Sequence, residues 1–182
     1  MFSSDQNIRV FLGKDPSEKK VSIKEILKYQ TDHPQEEIRV FNPSLPEGEN
    51  PRMLSHLASQ LYIGQMYRVT DVEGDVFTAT PHQIIPVLRI GSTQGTNVDV
   101  SGEPEVIYEE VQEIKIEVDY LLKLKRGPDG EDTFESVAIQ TIDKGLVQDD
   151  ASEVYTFRPV GIKNPQKEER SFLLGSGIVV VA

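Results

Sequence analysis

The sequence predicts an all-β domain of many short strands with one or two short helices. Three observations carry this expectation. About ten short apolar runs occur, most with the two-residue alternation of a strand. Clusters of glycine, proline, asparagine and aspartate separate them about every 8–12 residues. Only one strong helix start is present. With 182 residues, of which 37% are hydrophobic, the chain fits one domain spanning 1–182 with a core of its own.

Residues 7–12, NIRVFL, alternate as a half-buried strand, and Gly13-Lys14-Asp15-Pro16 turns the chain. Ser22 and Glu25 make a capping-box pattern ahead of Ile26 and Leu27, which predicts a helix of about two turns stopping before Asp32-His33-Pro34. Glu37 to Phe41 reads as a strand. Residues 50–62 fit two readings: Asn50-Pro51 can cap a helix with Met53, Leu54, Leu57 and Leu61 on one face, or the end can lead into a strand. The first half is read as helical. Met66 to Thr70 and Val76 to Thr80 are strands joined by the turn Glu73-Gly74-Asp75. Ile84 to Ile90 reads as buried. The polar, glycine-rich stretch 91–104 is the best loop in the chain. Residues 106–125 show a strand period, Arg126 to Gly130 is a turn, and 136–142 and 154–160 are further strands. The chain closes with Phe172-Leu173-Leu174, two glycines and Ile178 to Ala182.

Composition narrows the chemistry. Without cysteine there are no disulfides, thiolate metal sites or cysteine nucleophiles. His33, His56 and His82 are too far apart for metal-ligand spacing, so no cofactor or metal is expected. Asp71, Glu73 and Asp75 lack the spacing of a calcium loop and read as turn chemistry. The formal charge of −11 would repel a phosphate backbone, which argues against nucleic acid as a partner. No apolar run approaches the roughly 18–20 residues of a membrane span. The start shows no basic-then-apolar leader, so a cytoplasmic monomer is expected.

Four segments, in order, resemble those of inteins, the protein-splicing domains. They are SSDQNIRVFL with VSIKEI (3–12 and 21–26), YRVTDVEGDVFTATPHQIIPV (67–87), the central stretch 106–125, and VYTFRPVGIKNPQKEERSFLLGSGIVVV (154–181). The resemblance spans most of the chain. It implies the horseshoe Hint fold shared by inteins and hedgehog autoprocessing domains, in the mini-intein form without a homing endonuclease. The stretch 91–104 lies near where such an endonuclease is inserted. The partners it implies are flanking host-protein segments (exteins) in cis.

The chemistry so implied is an N-terminal acyl shift followed by cyclisation of a final asparagine, with a threonine and a histidine acting on the scissile amide. Ser3 aligns with the nucleophile, counting back from the strand that follows. It also reads as a surface residue at a frayed terminus, or as a replacement of a cysteine. His82 aligns with the catalytic histidine, beside Thr80. The family spacing of threonine, two residues, then histidine puts Ala79 in the threonine position and leaves Thr80 one residue too close. A packed core histidine is the competing reading. Val181 and Ala182 stand where the family has histidine and asparagine, and Arg170 where it often has another histidine. Alanine has no amide to cyclise, so the resemblance implies a domain inactive as given, through a change that traps a precursor or through natural loss of splicing. Ser3, Thr80, His82, Val181 and Ala182 are expected to converge. The rival reading is a non-enzymatic β-rich structural or protein-interaction module, with termini apart and one sizeable apolar patch.

Overall fold

The computed structural model describes residues 1–182 except 44–51, 95–96, 100–102, 129–130, 146–149, 162 and 164. Fifteen strands and one α-helix are described. β1 (Asn7–Leu12), β2 (Lys19–Ser22), β3 (Ile38–Phe41), β4 (Arg52–Tyr62) and β13 (Ser152–Pro159) form a sheet in the order β13-β4-β3-β1-β2. A second sheet is built from β5 (Tyr67–Asp71), β6 (Val76–Ala79), β7 (Ile84–Arg89), β10 (Glu105–Glu110), β11 (Asp119–Arg126) and β12 (Asp132–Lys144), in the order β10-β7-β11-β12-β5-β6. β8 (Ser92–Gln94) pairs with β9 (Asn97–Asp99), and β14 (Ser171–Leu173) with β15 (Val179–Val181). Every pairing between named strands is antiparallel.

Helix α1 (Ile23–Asp32) begins at the capping box: Glu25 N donates to Ser22 Oγ (3.2 Å) and Ser22 N to Glu25 Oε2 (2.8 Å). Its ten residues run longer than the two turns expected, with Ile23 and Ile26 buried. Strand β1 corrects the half-buried expectation, because Arg9 is buried along with Ile8, Val10 and Phe11. The second face of β1 is covered by the β14–β15 hairpin, where Arg9 Nε donates to the Gly175 carbonyl (3.2 Å).

Residues 52–62 are strand, which corrects the helical reading of their first half; residues 50 and 51 lie outside the described residues. β4 pairs on both edges, Ile38↔Ser55 on one side and Pro159↔Ser55 on the other. Two ladders of backbone hydrogen bonds outweigh a helical spacing of four apolar residues. The strand period across 106–125 is also broken. β10 and β11 lie on opposite edges of β7, both antiparallel to it, so they run parallel to each other. A continuous strand cannot do this, and residues 111–118 carry the chain back. The described part of the loop at 91–104 holds the small β8–β9 hairpin.

The β14–β15 hairpin and Phe2 tie the sheets together. Bridges join Ile8 to Leu174 and Lys123 to Ile178. Gly177 makes the hairpin turn at φ +94°, and a Cβ there would run into the Leu124 carbonyl. Phe2 bridges both Ala79 of β6 and Tyr155 of β13, and its ring lies edge-on to Phe77 and Phe172 at 6.5 and 6.2 Å. The core runs through Ile8, Val10, Phe77, Val87, Phe157, Phe172 and Val180. Among the described residues no helix is long and apolar enough to cross a membrane.

Candidate functional site

The anchoring of Phe2 decides where the first residue goes. Phe2 exchanges two backbone hydrogen bonds with Tyr155, at 2.8 and 2.7 Å, and its side chain is fully buried. Met1 is thereby carried past the end of β6, where its carbonyl accepts from Thr80 N (3.0 Å) and its nitrogen donates to Thr80 Oγ1 (3.0 Å). Burial pushes the Met1 amino group down from 8.0 to about 5, which makes it a neutral donor near pH 7.

After Thr80 the chain turns through Pro81 and His82, and Gln83 N donates back to the Thr80 carbonyl (3.0 Å). The turn sends Gln83 inward, where it is 4% exposed. Its Oε1 accepts from the Met1 nitrogen, while its Nε2 donates to the Val181 carbonyl (2.6 Å) and the Ile84 carbonyl (2.7 Å). One buried carboxamide thus touches the first residue and residue 181. Beside it, Ala182 N donates to the Arg170 carbonyl (2.9 Å) and Arg170 Nη1 to the Ala182 carbonyl (3.0 Å).

A cavity of about 520 Å³ opens against these residues, and Thr80, His82, Val181 and Ala182 all line it. Ser3 does not: it lines a separate cavity with Asp5, Asn7 and Thr78. His82 stands at the rim with its side chain 74% exposed, Nδ1 3.0 Å from Glu110 Oε2. The buried position facing the Met1 nitrogen belongs to Gln83. Sequence reasoning missed both Met1 and Gln83. Counted forward from Thr80, a threonine, two residues and then glutamine was the available signal; it was obscured by fixing the spacing on the one histidine present.

No family model matches the sequence, and no curated protein does. Solved structures do match. The chain is similar to the PabCDC21-1 intein at 13% identity and TM-score 0.65, covering 100% of this chain and 98% of that one. It is similar to an intein from a hyperthermophile at 15% identity and TM-score 0.64, with the same coverage. The DnaB intein from Synechocystis sp. PCC 6803 matches at 14% identity and TM-score 0.59, over 100% and 97% of the two chains. The chain has the intein fold. The Hint-type, all-β architecture expected of an intein is therefore present along the whole chain. Identities this low carry the fold and leave the chemistry to the residues at the site.

Those residues limit what this intein-fold site can do. A carboxamide donates and accepts hydrogen bonds but has no proton to transfer near pH 7. The Met1 thioether is a weak acceptor and supplies no activated nucleophile. Ala182 has a methyl side chain, with no amide that could cyclise.

Proposed function

We propose that residues 1–182 are an intein-type autoprocessing domain, seated in cis between flanking segments of a host protein and held in a form without splicing chemistry. The observation that supports this reading most is the Gln83 side chain, which joins the Met1 nitrogen to the Val181 carbonyl. Splicing needs its two junctions side by side, and the contact of one side chain with both Met1 and Val181 supports that reading. In the proposal Thr80 and Gln83 hold the first junction nitrogen, while Val181 and Ala182 stand at the second junction. His82 lies where it can reach the cavity only from the rim. Ser3 is assigned no part. The family mechanism would need a nucleophile at position 1, a proton donor at 83 and an amide at 182.

A second reading, the non-enzymatic structural or interaction module, is favoured by the same three side chains. A methionine, a glutamine and an alanine at these positions can hold two segments together without cutting either.

The readings separate when the groups are restored. The chain is placed between two soluble tags with Met1→Cys, Gln83→His, Val181→His and Ala182→Asn combined, and products are followed by mass spectrometry. The introduced thiol would take the acyl group from its own nitrogen, and a cysteine opening the downstream tag would take it in turn. The introduced amide would then close on its own carbonyl and release the joined tags, whose freed cysteine nitrogen takes the acyl group as an amide. Ligated tags support the autoprocessing scaffold. A folded precursor that stays intact overturns it in favour of the non-enzymatic module. The His82→Ala change, made in the restored chain, reports whether the rim histidine contributes.

A further inference from the structure

The cavity beside the junction has a floor that the junction chemistry does not use. In the β4–β13 pair, His56 lies opposite Arg158, and Thr156 opposite Ala58. Directly opposed residues of an antiparallel pair share a face, so His56, Thr156 and Arg158 point the same way, into the cavity. Arg170 forms the wall on the Ala182 side.

Two buried polar atoms here have no partner among the described residues. Thr156 is 4% exposed, and its Oγ1 makes no hydrogen bond; the buried Nε of Arg170 makes none either. Leaving such groups unpaired costs about 1–3 kcal/mol each, so their presence at a cavity wall points to a ligand that completes them. The charge of the lining is equally specific. The chain as a whole carries −11, yet no Asp or Glu is among the described residues lining this cavity, and two arginines are. Glu110 sits outside the lining, engaged by His82 and by Gln112 Nε2 (2.6 Å).

We propose that this cavity is a carboxylate-binding subsite that takes an acidic side chain of a peptide passing the junction. The exposed Arg158 guanidinium would donate to the carboxylate oxygens, and a small shift of the Arg170 and Thr156 side chains would bring their closed-off Nε and Oγ1 into reach as further donors. Planar guanidinium groups suit that geometry. The inference rests on the junction reading for where the peptide enters, and on Thr156, Arg158 and Arg170 for what it carries. The acidic residue can come from a segment flanking this chain or from a separate peptide.

The test uses binding, so it does not depend on splicing. Acetyl-aspartyl-alanine amide and its asparaginyl counterpart are titrated into the full chain, with the backbone amide resonances of residues 154–158 and 170 observed by NMR. The aspartyl peptide is expected to shift them, the asparaginyl peptide to bind about tenfold or more weakly, and Arg158→Gln and Thr156→Val each to weaken the aspartyl peptide about tenfold. Arg158 is exposed and valine is isosteric with threonine, so both variants should fold. Equal binding of the two peptides, or aspartyl binding unchanged in both variants, overturns the proposal. Chains extended past Ala182 by Ser-Asp-Ser or Ser-Asn-Ser identify the source. Exclusion of the free peptide by the Asp extension alone supports the flanking segment, and binding to both supports a peptide from elsewhere. If restored splicing fails while the aspartyl peptide binds, the subsite stands and the autoprocessing reading falls.

Discussion

At the β5–β6 hairpin, Lys123 carries an ammonium into the core with three carboxylates around it. At the cavity by Met1 and Ala182, Gln83 carries a neutral carboxamide between two backbone segments, next to polar atoms that have no partner among the described residues. The first cluster is saturated. Lys123 is 2% exposed and reaches Asp71 at 2.7 Å, Asp75 at 2.6 Å and Glu73 at 3.4 Å. Asp71 Oδ1 also accepts from Glu73 N and Asp75 N, which closes the turn. Burial lowers the pKa of Lys123, but its hydrogen bonds to Asp71 and Asp75 outweigh this and hold it above the ordinary value. Every group is answered from within, and the cluster pins the hairpin to β11. The second site answers Gln83 fully and leaves Thr156 Oγ1 and Arg170 Nε open. Buried polarity that is complete serves the scaffold; buried polarity left incomplete at a cavity marks where something else binds.

The largest effect is expected from the saturated cluster. Lys123→Met strands the fully buried Asp71 carboxylate and should cost about 3–5 kcal/mol in urea unfolding. Adding Asp71→Asn removes the stranded charge and should recover part of the loss. A double variant less stable than the single one would show that the cluster is not held by this charge pair.

A smaller loss is expected at Gln83. Gln83→Leu keeps the volume but leaves the Val181 carbonyl and the Met1 nitrogen short of a partner, for about 1–3 kcal/mol. A loss as large as that of Lys123→Met would erase the distinction between the two regions.

The smallest effect is a pH slope. The Met1 amine has a lower pKa folded than unfolded, so the unfolded chain binds more protons between about pH 5 and 8. Stability should therefore rise with pH across that window. A chain carrying an upstream tag has no amine at Met1 and should show a weaker slope. Equal slopes would place the Met1 nitrogen in solvent.

Much of the fold was legible because local signals and tertiary pairing agree. The capping box at Ser22, the turn at Glu73-Gly74-Asp75 and the glycines after Leu174 each sit where the sequence put them. Disagreement came where pairing decided the outcome. Residues 52–62 carry a helical spacing, but edges on both sides claim them as strand. The site was legible only in part. Thr80, Val181 and Ala182 come together at one cavity, while Ser3 faces another. That difference turns on Phe2, whose anchoring between β6 and β13 sets the register of the first residues and has no periodic signature in so short a segment. Gln83 has no chemical signature in the sequence, because only its burial sets this amide apart from the histidine beside it.

A single side chain, Gln83, touches both Met1 and Val181. The direct measurement is a nuclear Overhauser spectrum of the full chain, read at the Gln83 carboxamide protons. Cross-peaks to the α protons of both Met1 and Val181 are the predicted result. A Gln83 amide that shows neither, with His82 protons contacting Met1 instead, would contradict it.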